Sequence, residues 1–298
     1  MKLVWTLAAL GLASPDPKPD WNLRAHIALQ DVVVQSHRGA GVLSPENSIE
    51  AFEIAWKLGT IPEADLRTTK DGVIVAFHDN DFQRILPHAA PEFRKKGIQD
   101  LTWDEVRALD IGAWKGPQFR GQRVPRLTDV YRILQRRPSR RLYIDIKNVD
   151  LEQLAREARA AKVADRLILA STVYDVIRKW KELAPESSTL HWMGGTEEQL
   201  RARLAELRKL RFAAITQLQI HVRTKDGPAG QDLTPSPQFL VETGAELRRH
   251  GILFQALPWN SNDPKLFWRL MDLGVASFAT DYPDVAMQAI RAYYAAKP

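Results

Sequence analysis

Ser36 to Asn80 reads SHRGAGVLSPENSIEAFEIAWKLGTIPEADLRTTKDGVIVAFHDN, placing two histidines, a Glu-x-Asp pair and an Arg-Gly step within 45 positions. Val32, Val33 and Val34 are a β-branched run, which predicts a strand that ends at Ser36 and runs into a glycine-rich loop headed by His37. Asn47 then stands as a helix N-cap with Glu50 as its box-like partner, before apolar Ile49, Phe52, Ile54 and Ala55 at helical spacing. The helix is expected over 48–58, closed by Gly59.

A second strand follows at 61–66. Side chains alternate along a strand, so Glu63 and Asp65 point the same way. Thr69-Lys70-Asp71-Gly72 is too short for a parallel crossover, so Val73 to His78 returns antiparallel as a hairpin arm. With the turn centred on Lys70 and Asp71, His78 faces Glu63.

From Leu127 onward helices and strands alternate. Helices are expected at 127–136, 151–162, 173–184, 196–209, 237–249, 263–273 and 282–294, and strands at 141–147, 166–170, 188–192, 212–219, 251–257 and 275–279, with a polar loop at 225–231. Such alternation implies a parallel sheet. With the strands at 32 and 61 the count is eight, the number that closes a (β/α)8 TIM barrel, with the hairpin arm at 73 as an extra. An open doubly wound sheet is the competing fold, but no glycine fingerprint of a dinucleotide site is present. Residues 80–126, rich in Pro and Gly, read as an insertion after the arm, with a short helix at 102–109 started by a Thr102–Glu105 capping box, and it is expected to overhang the site.

Met1 to Ala13 carries one lysine, a short apolar run and small residues Gly11 and Ala13 before Ser14, the pattern of a secretory signal peptide; export to the periplasm or medium is the expectation. The run is too short to span a bilayer, so no stable membrane insertion is expected. Residues 14–30 read as an extended proline linker, 15–19, followed by a short helix within 20–30, leaving 31–298 as one barrel domain. There is no cysteine, which excludes disulfides, thiolate metal sites and a cysteine nucleophile. A net charge of +6 without a basic stripe gives no support to nucleic-acid binding, while a mildly positive field suits an anionic small substrate.

Active sites of this fold lie at the C-terminal ends of the strands, where His37, Glu63, Asp65 and Asp145 fall. Inward carboxylates are costly unless paired or bound to metal. Glu63, Asp65 and Asp145 suit one hard divalent cation with oxygen ligands, Mg2+ or Ca2+, better than zinc. Salt bridges to Arg67, Lys147 or Arg38 are the alternative. His37 and His78 flank the acids and suit a base and acid pair, because histidine titrates near neutral pH.

His37-Arg38-Gly39-Ala40, Pro45-Glu46-Asn47-Ser48, Glu63-Ala64-Asp65 with Thr69-Lys70-Asp71-Gly72, His78-Asp79, Asp145-Ile146-Lys147 and Thr280-Asp281-Tyr282-Pro283 together resemble the ordered motifs of the glycerophosphodiester phosphodiesterase family, from Val32 to about Val285. The resemblance implies a TIM barrel and metal-dependent hydrolysis of glycerophosphodiesters to sn-glycerol 3-phosphate and an alcohol. It makes His37 and His78 the acid/base pair and Glu63 and Asp65 metal ligands. It also suggests that the substrate's own glycerol hydroxyl attacks first, giving a cyclic phosphate that water opens. Two residues depart from the family pattern: Asp145 stands where a glutamate is usual, and Ser48 where a threonine is usual. Arg38 and Lys147 are expected to hold the phosphate's remaining charge.

Two other activities fit part of this pattern. A sphingomyelinase D-like lyase shares the two-histidine, three-acid site, has an aspartate as third ligand and stops at a cyclic phosphate; the intact HRG and PENS motifs oppose it. A non-catalytic phosphodiester-binding barrel is opposed by the intact histidines. Trp259, with Asn260, ends the seventh barrel strand and walls the glycerol pocket or packs there. His191, Trp192, Gln217 and Gln219 are further lining candidates. His26, His88, His221 and His250 read as surface or loop residues, and Asp281 as a turn and helix-start residue.

Overall fold

The computed structural model describes residues 16–227 and 230–296; the expected signal peptide at 1–13 lies outside them. Ten strands form the sheet: β1 (Val33–Ser36), β2 (Ile61–Thr68), β3 (Ile74–Ala76), β4 (Leu142–Asn148), β5 (Leu167–Ser171), β6 (Ser188–Met193), β7 (Gln217–Gly227), β8 (Gly230–Thr234), β9 (Leu253–Pro258) and β10 (Ser277–Thr280). Eight of them run parallel in the order β1-β10-β9-β7-β6-β5-β4-β2, and β1 pairs with β2 to close the ring. This is the expected (β/α)8 barrel.

Amphipathic helices cover the outside. In Leu127–Arg136 the buried residues are Leu127, Val130, Tyr131 and Leu134, one stripe at i, i+3, i+4 and i+7. Each fully buried side chain of this size contributes roughly 1.5–3 kcal/mol. Inside the ring the packing is partly polar. Tyr143 Oη donates to Gln217 Oε1 (2.6 Å), and Gln255 Nε2 donates to Ser277 Oγ (2.9 Å) and Tyr143 Oη (3.3 Å). Ile168, Ala170 and Leu190 pack against Tyr143 on the other side. This hydrogen-bonded layer is a rigid floor under the mouth formed by the strand C-termini.

Four expectations are corrected. The β2–β3 register sets Leu66 against Ala76 and Arg67 against Val75, one residue away from a pairing of His78 with Glu63. The turn is the reason: Thr69 N–H bonds Val73 O, and Gly72, at φ +85°, belongs to a three-residue loop. The sixth barrel strand begins at Gln217 and not 212, because Arg211, Phe212 and Ala214 all take left-handed φ in a turn that seats Phe212 in the core. In the segment expected as a polar loop at 225–231, residues 225–227 and 230–231 are paired strand, the ends of β7 and β8 in an antiparallel hairpin. Finally, the segment read as an extended linker, 15–19, is held to the barrel at Asp16, which pairs with Arg269 (2.6 Å), and just after it Trp21 lies under Arg248 (4.7 Å).

The insertion at 80–126 has a small core of its own. Phe77, Phe82, Ile85, Ile98, Leu101, Val106, Ile111 and Val124 are buried together, and Phe82 meets Phe77 edge-on (5.4 Å) and stacks on Phe93 (5.6 Å). Of the Thr102–Glu105 box the returning arm is made, Glu105 Oε2 accepting from Thr102 N–H (2.8 Å) and from its hydroxyl (2.9 Å), on a helix of only one turn, Trp103–Val106. No helix among the described residues is long and apolar enough to cross a membrane.

Candidate active site

His37 follows β1 in a tight loop that needs its glycines. Gly41, at φ +57°, approaches Asp281 so closely that a Cβ would lie 2.0 Å from its backbone oxygen, and Val42 N–H bonds that same oxygen at 2.8 Å. The loop is thereby fastened to the residue after β10. Asp281 Oδ1 stands 2.6 Å from His37 Nδ1. Asp281 is therefore more than a turn residue: it orients the first histidine. Burial pulls the His37 imidazolium down, but Glu63 and Asp281 outweigh it and hold the group at about 9.

His78 has its own aspartate. Its Nδ1–H is donated to Asp79 Oδ1 (2.7 Å), leaving Nε2 as the acceptor of Arg38 Nη2–H at 2.9 Å. Arg67 clamps the His78 carbonyl (2.7 Å from Nη2), so it serves the hairpin and not the acids. Arg38, at φ +53°, also reaches Glu46 (3.3 Å), and Arg84 of the insertion bridges Glu46 (2.6 Å) and Asp79 (2.8 Å). His78, Arg38, Glu46, Arg84 and Asp79 thus form a closed ring of charged hydrogen bonds.

Between the histidines, Glu63, Asp65 and Asp145 are buried, with one carboxylate oxygen of each within 4.8 Å of the others. Asp65 and Asp145 lie side by side in the β2–β4 register. Asn47 holds Asp65 twice: its Nδ2 donates to Oδ2 (2.8 Å) and its Oδ1 accepts the Asp65 N–H (2.8 Å). This corrects the N-cap reading, since Asn47 has φ +54° and Ser48 caps the helix Ile49–Leu58 by accepting from Ala51 N–H. Lys147 Nζ reaches Asp65 Oδ1 (3.1 Å) and Asp145 Oδ2 (2.7 Å). One ammonium among three acids leaves the cluster under-neutralised: burial, then Glu63, push Asp145 up to about 7, and burial also raises Glu63. Buried oxygen donors carrying surplus negative charge fit a hard divalent cation. The second acidic group, Glu46, His78 and Asp79, is already engaged by Arg38 and Arg84.

A model of the glycerophosphoryl diester phosphodiesterase family matches residues 37–285. The chain belongs to this family. A glycerophosphodiester phosphodiesterase of Bacillus subtilis is 26% identical over 283 residues, covering 88% of this chain and 87% of that one. Among solved structures, a glycerophosphodiester phosphodiesterase of Agrobacterium tumefaciens superposes with a TM-score of 0.66 at 21% identity, over 86% of this chain and 99% of that one. A phosphodiesterase of Oleispira antarctica, in complex with the product sn-glycerol-3-phosphate, gives 0.64 at 23% identity, over 87% and 96%.

In this family member a cavity of 160 Å³ opens over the acids, lined by His37, Arg38, Glu63, His78, Asp145 and Lys147 and walled by Trp192, His221 and Trp259. His221, expected at the surface, is stacked on Trp192 (5.3 Å, 4°) and tilted against Trp259 (5.4 Å). Its place follows from β7, where Gln217, Gln219 and His221 alternate on the inward face. Burial, then His37, Arg223 and Arg203, hold its ring down to about 4, so it is a neutral wall. Trp259 lines the cavity while remaining 39% exposed, with Arg223 over its outer face at 5.0 Å. Of the other lining candidates, Gln219 and Trp192 reach the cavity, whereas Gln217 belongs to the floor and His191 is buried beside the Ser171 carbonyl (3.1 Å). His26, His88 and His250 are exposed as expected.

Proposed function

We propose that the protein hydrolyses glycerophosphodiesters to sn-glycerol 3-phosphate and an alcohol, with one divalent cation, Mg2+ or Ca2+, held by Glu63, Asp65 and Asp145. One observation carries the reading: three buried carboxylates converge between two histidines, each of which is oriented through Nδ1 by its own aspartate. When bound, the cation would neutralise phosphate oxygen charge and acidify a hydroxyl.

The residues then divide the proton work. His37 is the charged partner and its Nδ1–H is held by Asp281, so Nε2–H is the proton given to the leaving alkoxide. His78 presents an Nε2 lone pair, occupied in the free site by Arg38. An entering phosphate draws the Arg38 guanidinium to itself, which frees Nε2 to take the proton of the attacking hydroxyl, the substrate's own or water's. If a cyclic phosphate forms, the histidines exchange roles as water opens it. Lys147 bridges Asp65 and Asp145 and offsets part of their mutual repulsion. We further propose export, on the strength of the leader expected at residues 1–13; the N-terminal mass of protein recovered from the periplasm or medium would test it.

The test is release of glycerol 3-phosphate from glycerophosphocholine by purified protein with Mg2+, with Ca2+ and after chelation. Metal-dependent release that falls at least about 100-fold in His37→Ala and His78→Ala is expected. Unchanged activity in either variant, or release that persists under chelation, would overturn the mechanism.

A further inference from the structure

A second cavity, of 330 Å³, opens on the other side of His37 and is lined by Gly41, Val42, Glu46, Lys115, Asn260 and Tyr282. Small-molecule sites usually occupy about 300–1,000 Å³. The metal-side cavity, at 160 Å³, falls below that range by itself. His37, Arg38 and Trp259 border both, so the two act as adjoining halves of one cleft.

The histidines fix which half takes which part of a diester. His78 lines the metal-side half and not the second. His37 lines both, and with Nδ1 committed to Asp281 it delivers its proton from Nε2. With the phosphate and the attacking hydroxyl on the metal side, the oxygen that receives the His37 proton carries its carbon skeleton into the second half. The bond that breaks is phosphorus to that oxygen, and the alcohol leaves with the proton.

Charge in the second half is unequally matched. Glu46 is held by Arg84 and Arg38, and Asp281 by His37. Lys115, brought in by the insertion, makes its hydrogen bonds to backbone carbonyls, Ser44 O at 2.7 Å and Gly41 O at 3.4 Å. Lys115 lines the cavity and feels the carboxylates of Glu46 and Asp281, but both acids are hydrogen-bonded to other cations and neither forms an ion pair with it, so its charge is only partly offset. Asn260 and Tyr282 add neutral polar groups.

We propose that this cavity is the subsite for the leaving alcohol, and that Lys115 makes it select alcohols bearing an anionic group, a carboxylate or a second phosphate, over their uncharged or cationic counterparts. The proposal rests on the hydrolase reading above. It assigns the insertion a part in substrate choice, through one residue.

Two substrate pairs isolate the charge: glycerophosphoserine against glycerophosphoethanolamine, which differ by a carboxylate, and glycerophosphoinositol 4-phosphate against glycerophosphoinositol, which differ by a phosphate. The wild-type protein with metal is expected to show a kcat/KM higher for the anionic member by roughly fivefold, the worth of one partly exposed ion pair. Lys115→Gln keeps a donor for the Ser44 carbonyl and should erase the preference. Asn260→Asp adds a carboxylate without touching that contact and should reverse it. A preference in one pair alone tells which anion the subsite takes. Equal rates within both pairs for the wild type, or a preference that survives both variants, overturns the subsite. Absence of hydrolysis of all four substrates overturns instead the hydrolase reading, and the subsite falls with it.

Discussion

Asp281 Oδ1 lies 2.6 Å from His37 Nδ1, although 244 positions of chain separate them. The contact joins the first barrel strand to the last, so closure of the ring assembles the pair. Asp281→Asn keeps the shape of the side chain and removes its charge. The His37 acid should then be less well held and less basic, and kcat is expected to fall about 10- to 100-fold. An acid must be protonated to act, so activity is lost as pH rises through its pKa. Because Asp281 helps raise that pKa, the alkaline limb of the rate profile should move to lower pH in the variant. An unmoved limb would separate Asp281 from His37 function.

The acid cluster makes a separate expectation, for stability. In the metal-free protein burial and Glu63 push Asp145 up to about 7, so its contribution is fully present below its ordinary value near 4 and is lost as pH rises through about 7. A bound cation restores it. Saturating Mg2+ or Ca2+, at about 100 times Kd, should add roughly 2.7 kcal/mol, or about 5 °C in Tm, and the gain should shrink as pH falls below 7. Asp145→Asn should leave the metal-free Tm unchanged or higher while abolishing the metal-induced rise. A variant that loses stability without metal would show that the three acids are not straining the free site. Thermal melts with and without chelator decide it.

The barrel was legible because periodicity is local: the stripe of Leu127, Val130, Tyr131 and Leu134 declares its helix with no knowledge of what it packs on. Glu63, Asp65 and Asp145 were legible because an inward charge on a strand demands a partner. What escaped depends on closure or on backbone conformation. Nothing near Asp281 indicates that β10 sets it against His37. Asn47 resembles an N-cap until its left-handed φ carries its amide to Asp65 and leaves the cap to Ser48. The hairpin slipped by one residue on whether Gly72 counts as turn or strand. His221 was hidden because β7 continues through a polar stretch that, unpaired, reads as loop.

Asn47 supports a sharper expectation than its size suggests. It satisfies both the N–H and a carboxylate oxygen of buried Asp65, and asparagine tolerates the φ of +54° better than most residues. Asn47→Ala strands two buried polar groups of Asp65, one of the three proposed metal ligands, and each costs about 1–3 kcal/mol. Asn47→Gly relieves the backbone but leaves the same groups unpaired. Both variants are expected to lose several degrees in Tm and to bind metal more weakly, with alanine the worse. If glycine restored wild-type stability, backbone conformation and not the amide would be the reason for asparagine here.

Arg84 separates the site's function from the fold's stability. Its side chain is 39% exposed, so its ion pairs with Glu46 and Asp79 contribute at most about 1 kcal/mol. Yet it closes the ring through Asp79, which orients His78, and Glu46, which orients Arg38. In Arg84→Met the apolar stem remains, and the two acids lose their common partner. Asp79 is then free to turn from His78, and Glu46 holds Arg38 more tightly, so that the guanidinium is slower to leave for a phosphate. kcat should fall about tenfold or more and KM should rise, while Tm moves by only about 1–2 °C. Losses of the same size in stability and in turnover would mean that the ring braces the insertion and does not tune His78.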